Sequence, residues 1–303
     1  MNNTKIIVMK INVISLFCFI GFMSLMSCSS EQEQTAISAG ENQIIKTETF
    51  AQLNVQLKAY NEQFGEHKFD RTHTRGFFGK LWKVVKADFY GGLAGGGLVA
   101  AGSIDSGYSF GTIARGVGAG ALVGAVLGSL YESLNIIDSQ SGSIKIVNKA
   151  LPCGSVGLCR SDSVGYYHNV IIQEIINENP FLSLKDTLKM HRFVEKKIYE
   201  IGDVSKQEIK EATESYLNVR SGVKVVDSQE LKRKLPQLKD EIDIAELYFE
   251  NVSCLTNEED VKEYTKGVRN IVAESKVPVE SKCILNSSTS VAMNRYMLWK
   301  IAE

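Results

Sequence analysis

Gly116-Val-Gly-Ala-Gly120-Ala-Leu-Val-Gly124-Ala-Val-Leu-Gly128 sets a glycine at every fourth residue of an apolar run. Residues four apart lie above one another on one face of an α-helix, so Gly116, Gly120, Gly124 and Gly128 form a stripe without side chains. Glycine in a helix interior costs about 1 kcal/mol relative to alanine. Four in one stripe cost about 4 kcal/mol, a large share of the roughly 5–15 kcal/mol that holds a domain together. Close approach of a second backbone is the natural compensation. A partner stands upstream in Tyr90-Gly-Gly-Leu-Ala-Gly-Gly-Gly-Leu-Val-Ala-Ala-Gly102, which carries no charge and repeats the stripe in shorter form at Gly92, Gly96 and Ala100. With a turn around Asp105-Ser106-Gly107, residues 76–134 read as a glycine-rich helical hairpin, glycine faces together and Leu, Val and Ile outward.

The hairpin enters through a basic amphipathic segment. Phe78, Leu81, Trp82, Val85 and Phe89 fall at helical spacing, with Lys80, Lys83 and Lys86 elsewhere on the wheel. These roughly 60 residues resemble, by their spacing, the glycine-zipper segments of bacterial envelope proteins and the glycine-rich helices of membrane-active bacteriocins. Three placements follow. The hairpin is the hydrophobic centre, covered by later helices; or it inserts into or lies upon a membrane, with Trp82 and Lys83 at the interface; or it self-associates between protomers. Its uncharged stretches of about 15 residues give about 22 Å of helix against a hydrocarbon core near 30 Å, short of a full span but compatible with shallow insertion.

The rest of the chain reads as mainly α-helical, in keeping with only four prolines and little β-branched alternation. Residues 28–45 are polar and suit a flexible tether. Residues 46–75 hold an amphipathic helix, Thr47 to Phe64, with Phe50, Leu53, Leu57, Tyr60 and Phe64 on one face, and then a polar connection bearing His67, Arg71, His73 and Arg75. Residues 135–303 read as a multi-helix C-terminal domain, with helices expected over 163–178, 183–201, 205–219, 228–250, 257–275 and 284–301. Ser205-Lys-Gln-Glu208 and Thr256-Asn-Glu-Glu259 have the form of capping boxes. Pro180, Pro236 and Pro278 mark helix starts or breaks, and Gly222 to Val226 suits a short strand.

Residues 1–27 have the build of an export signal. Lys5 and Lys10 supply the positive end, and Ile11 to Met26 is uncharged and too short for a stable span of about 20 residues. The run ends in Leu25-Met26-Ser27-Cys28, which resembles the lipobox of bacterial lipoproteins, with a larger residue than usual at Met26. The resemblance implies cleavage before Cys28, acylation of its thiol and attachment by lipid chains that hold almost irreversibly. An ordinary cleaved signal with an incidental cysteine is the alternative. The start of the expected mature chain, Ser29-Ser30-Glu31-Gln32-Glu33, lacks an aspartate at the second position and is acidic. It resembles the export tags of surface lipoproteins, which implies the outer membrane. The layout as a whole resembles that of envelope lipoproteins, a likeness that brings no activity with it.

Loss of the signal would move the net charge from −1 to −3, which argues against nucleic acid as a partner. Cys153, Cys159, Cys254 and Cys283 form an even set in an oxidising compartment, with Cys153–Cys159 and Cys254–Cys283 favoured by proximity among three possible pairings. Free buried thiols are the alternative. The chain has no Walker loop, GxSxG or HExxH motif and no histidine pair at metal spacing, so no metal or cofactor is expected. The one isolated candidate for catalysis is His168, in Gly165-Tyr-Tyr-His-Asn169 with Asp162 and Ser163 upstream, although on a helix it would also line the core. His191 and the run Lys232-Arg233-Lys234 read as solvated. The resulting expectation is a structural or interaction protein without catalysis, with a membrane-active protein and a His168 hydrolase as alternatives.

Overall fold

The computed structural model describes residues 39–65, 69, 77–104, 110–138, 161–178, 187–201, 204–221 and 227–300. Cys28, Cys153, Cys159, the polar connection of His67, Arg71, His73 and Arg75, the turn at 105–107 and the expected strand at 222–226 lie outside the described residues. A short N-terminal unit, Met1–Ile44, is distinct from the body, Ile45–Glu303. Among the described residues the chain is mainly α-helical: α1 (Ala39–Gly65), α2 (Phe77–Ile104), α3 (Phe110–Asp138), α4 (Ser161–Glu178), α5 (Thr187–Glu200), α6 (Lys206–Arg220), α7 (Ser228–Lys234), a 3-10 turn (Pro236–Leu238), α8 (Lys239–Val252), α9 (Glu258–Glu274) and α10 (Val279–Lys300).

Most expected helices fall close to their observed bounds, with three physical corrections. The first helix begins at Ala39, inside the stretch expected to be a tether, because Glu41, Gln43 and Ile44 continue the helical composition upstream. The expected helix 228–250 is two helices. Pro236 has no N–H to donate and holds Leu235 at φ −126° and ψ 66°, so α7 stops and a 3-10 turn re-aims the chain into α8. The N-cap of α9 is Asn257 rather than Thr256, and its side chain accepts from the Glu259 amide at 2.9 Å. The Ser205–Glu208 capping box at α6 is complete in both directions.

Helices α2 and α3 form the most extensive helix pair of the body and run antiparallel. Ala87 faces Gly128, Gly91 faces Gly124, Gly95 faces Gly120, and Val99 faces Gly116. A Cβ on Gly128 would lie 2.6 Å from the Ala87 carbonyl oxygen, and Cβ atoms on Gly91, Gly95, Gly120 and Gly124 would come closer still to the carbonyls opposite. On α2 this tight seam is one residue away from the expected one. A Cβ on Gly92 or Gly96 would meet Ala121 O and Val117 O at 3.4 and 3.3 Å, and Gly92 also looks toward Ser288 Oγ on α10 at 3.4 Å. Adjacent glycines satisfy the same four-residue spacing, and α2 uses them on two neighbours, with Gly91 and Gly95 turned to α3 and Gly92 partly to α10.

Five other helices pack on this pair. α6 and α10 lie on both of its members, α4 and α5 on α3, and α8 on α2. Among the described residues one helix is long and apolar enough to cross a membrane by composition, over Ala114–Glu132, and 83% of that window is buried inside the body. Helix α9, packed on α8 and α10, buries a single stripe of Val261, Tyr264, Thr265, Val268 and Val272. Tyr60 and Phe64 of α1 join Phe69 and Tyr264 in an aromatic cluster with centroids 5.3–6.0 Å apart.

Candidate functional site

Helix α10 carries Ser287, Ser288, Thr289 and Ser290 in full burial. Ser288 and Thr289 donate to the carbonyls of Ile284 and Leu285, each at 2.9 Å, which satisfies hydroxyls that would be costly in the core. Their small size lets other helices press close. At Gly165 of α4 a Cβ would collide with the Ser290 carbonyl and the Asn294 amide, so glycine sets the separation of α4 from α10. One turn on, Asn169 Nδ2 donates to the Asn294 carbonyl at 2.8 Å, and Asn294 Nδ2 donates to Ser290 O at 2.9 Å.

This approach delivers His168 to a buried charged centre. Asp88 of α2 and Arg295 of α10 are 0% and 1% exposed, with Asp88 Oδ2 3.1 Å from Arg295 Nε and 3.6 Å from His168 Nε2. His168 Nδ1 lies 3.1 Å from Asn169 Oδ1. Ser129 of α3, also fully buried, stands beside the carboxylate, although its hydroxyl is not aligned for a hydrogen bond. The centre therefore joins α2, α3, α4 and α10.

Burial pushes the Asp88 carboxyl up to about 7, against the opposing pull of the Arg295 guanidinium and Ser129 and with a small push from Glu132. Burial holds His168 down to about 3, helped by the Arg295 charge and opposed by Asn169 and the Ala125 carbonyl. At neutral pH the imidazole is thus uncharged, while Asp88, near the middle of its titration, meets the Arg295 charge only in its ionised half. Asp88, Ser129, Ser163 and His168 are each 0% exposed, and the centre ties together residues of four helices.

Asp88 and Arg295 escaped the sequence reading. The signal was available: Asp88 is the single charge between residues 87 and 104, and Arg295 the single charge between 283 and 299. A lone charge in so long an uncharged helix must be either solvated or matched, and here the two match each other.

Other expected residues fall as follows. Trp82 is 8% exposed, stacks on Tyr296 at 5.2 Å and meets Phe249 edge-on at 6.2 Å. Cys254 and Cys283, expected to pair, are free thiols; Cys254 is buried and its Sγ donates to Glu250 O at 3.3 Å. His191 is half-buried rather than solvated, with Nε2 2.7 Å from the Tyr131 hydroxyl, and burial and the Arg220 charge lower its pKa. Lys232 is also no solvated residue. It bridges α7 to α8 through Asp243 at 2.6 Å and Glu246, carboxylates that outweigh the effect of burial and raise its pKa. Among the described residues no group of three or more His, Cys, Asp or Glu side chains is placed to hold a metal ion.

No protein-family model, curated protein or solved structure matches the chain.

Proposed function

We propose that the chain is an outer-membrane lipoprotein, held by lipid on Cys28, whose helical body is a structural or interaction module without catalysis of its own. The observation that carries this reading is the burial of the Asp88–His168–Arg295 centre, which fits a device for fixing four helices better than one for turning over a substrate. The lipobox-like Leu25-Met26-Ser27-Cys28 supports the anchor, and the acidic Ser29–Glu33 start supports the outer membrane. The anchor is tested by labelling cells with radioactive palmitate. Label on the wild-type chain and none on Cys28→Ala is expected, and equal label on both would overturn it. Protease shaving of intact cells then separates the cell surface from the periplasmic face.

A second reading has one observation in its favour. The two apolar helices lie inside a coat of amphipathic ones, an arrangement from which a hairpin can be released onto a bilayer. Dye release from anionic liposomes distinguishes the two. Leakage that rises with protein concentration supports a membrane-active protein, and its absence at every protein-to-lipid ratio leaves the structural module.

A further inference from the structure

Where Ala87 of α2 faces Gly128 of α3, the next residue on each helix, Asp88 and Ser129, is polar and fully buried. A third polar group reaches the same crossing from α6. The Tyr216 hydroxyl lies 3.4 Å from where a Cβ on Gly128 would stand, and Tyr216 is likewise buried. Small residues on both helices, Ala87 and Gly128, let the phenol come this close. Arg295 Nε and His168 Nε2 both stand on Asp88 Oδ2, at 3.1 and 3.6 Å, and so leave Oδ1 to other partners. Among the described residues Asp88 Oδ1, Ser129 Oγ and Tyr216 OH are buried and make no hydrogen bond. Buried polar atoms are rarely left in that state. Three of them, from three helices at one crossing, need a common partner.

We propose that this crossing holds an internal water molecule, hydrogen-bonded to Asp88 Oδ1, Ser129 Oγ and Tyr216 OH. Charge selects against other small ligands. An anion would be repelled by the ionised Asp88 carboxylate, and a cation by the Arg295 guanidinium on that same carboxylate. The partner must also accept and donate at once. Burial raises the Tyr216 pKa, with the Asp88 charge adding to it against the pull of Arg220, so the phenol keeps its proton as a donor. The ionised Asp88 Oδ1 can only accept, and the Ser129 hydroxyl can do either. A water accepts from Tyr216, donates to Oδ1 and completes its shell with Ser129. Internal waters typically make about three hydrogen bonds to buried polar groups that would otherwise lack partners. Such a bridge is enthalpically close to a direct bond. It ties α6 to the charged centre that already joins α2, α3, α4 and α10.

A crystal structure of the full chain, at a resolution that shows ordered water, tests the assignment directly. One density peak is expected within about 2.7–3.2 Å of all three oxygens. The absence of that peak, or a direct hydrogen bond from Tyr216 or Ser129 to Asp88 in its place, would overturn the proposal. In solution, oxygen-17 relaxation dispersion counts the waters that stay inside the protein for longer than its tumbling time. Tyr216→Phe combined with Ser129→Ala removes two of the three partners and should lower that count by one. A count equal to that of the wild-type chain would also overturn the assignment. If the double variant does not fold, the wild-type crystal structure decides.

Discussion

The carbonyl oxygen of Gly91 occupies the space that a Cβ at position 124 would need, and the carbonyl of Gly124 does the same to position 91. The two backbones are in contact, so the glycines that cost helix propensity return it as packing.

This predicts a sharp difference between neighbouring glycines. Gly124→Ala gains about 1 kcal/mol of helix propensity but drives a methyl into backbone that cannot rotate away. Such overpacking costs about 1–3 kcal/mol, occasionally more; with a carbonyl oxygen this close to the added methyl the upper end applies, and a net loss of about 2 kcal/mol is expected. Gly92→Ala meets its nearest atoms at 3.4 Å, ordinary contact, and should be neutral to within about 1 kcal/mol. Urea unfolding of the two variants measures the difference; equal midpoints would refute the seam.

The same comparison indicates what was legible in the sequence. A stripe of glycines announces close packing, and on α3 Gly116, Gly120, Gly124 and Gly128 lie against α2. On α2, where glycines occur in adjacent pairs, periodicity could not choose between Gly91–Gly95 and Gly92–Gly96, because both lie within 100° of each other on the wheel. The helices themselves were legible from apolar spacing and caps. The break at Pro236 was outvoted by the apolar periodicity on either side. The charged centre was not found because its members lie 207 residues apart, Asp88 to Arg295, and no local pattern links them.

The cap of α9 gives a simple local test. Asn257→Ala removes the acceptor for the Glu259 amide, and loss of such a cap costs about 1 kcal/mol. The thermal midpoint should fall, while the far-ultraviolet spectrum of the folded chain stays unchanged.

Arg295→Met removes the cation that restrains the Asp88 carboxyl. In the wild-type chain Asp88 titrates near 7 when folded and near 3.9 when unfolded. The folded state therefore binds more protons between these values, and Asp88's contribution to stability falls as pH rises through them, then levels off. Without Arg295 the folded pKa climbs further and the decline continues above pH 7. The variant's deficit should be smaller at pH 5 than at pH 8, where breaking a buried pair costs about 3–5 kcal/mol. Urea curves at the two pH values decide this, and a deficit independent of pH would count against the pairing.

His168 works in the opposite sense. Its folded pKa of about 3 lies below the ordinary value of 6.5, so the unfolded chain binds more protons between these limits. Stability from this group therefore rises with pH from about 3 to about 6.5. Asp88 lowers stability from about 4 to about 7, and across the shared window the two slopes offset each other. His168→Gln keeps a polar side chain in the core but abolishes the rising contribution, which unmasks the falling one. The variant's deficit relative to wild type should widen as pH rises from about 4 to 6.5 and hold steady above that. Chemical unfolding at half-unit pH intervals measures both curves. Parallel curves would mean that the imidazole keeps an ordinary pKa in the folded chain, which its burial against Arg295 does not allow.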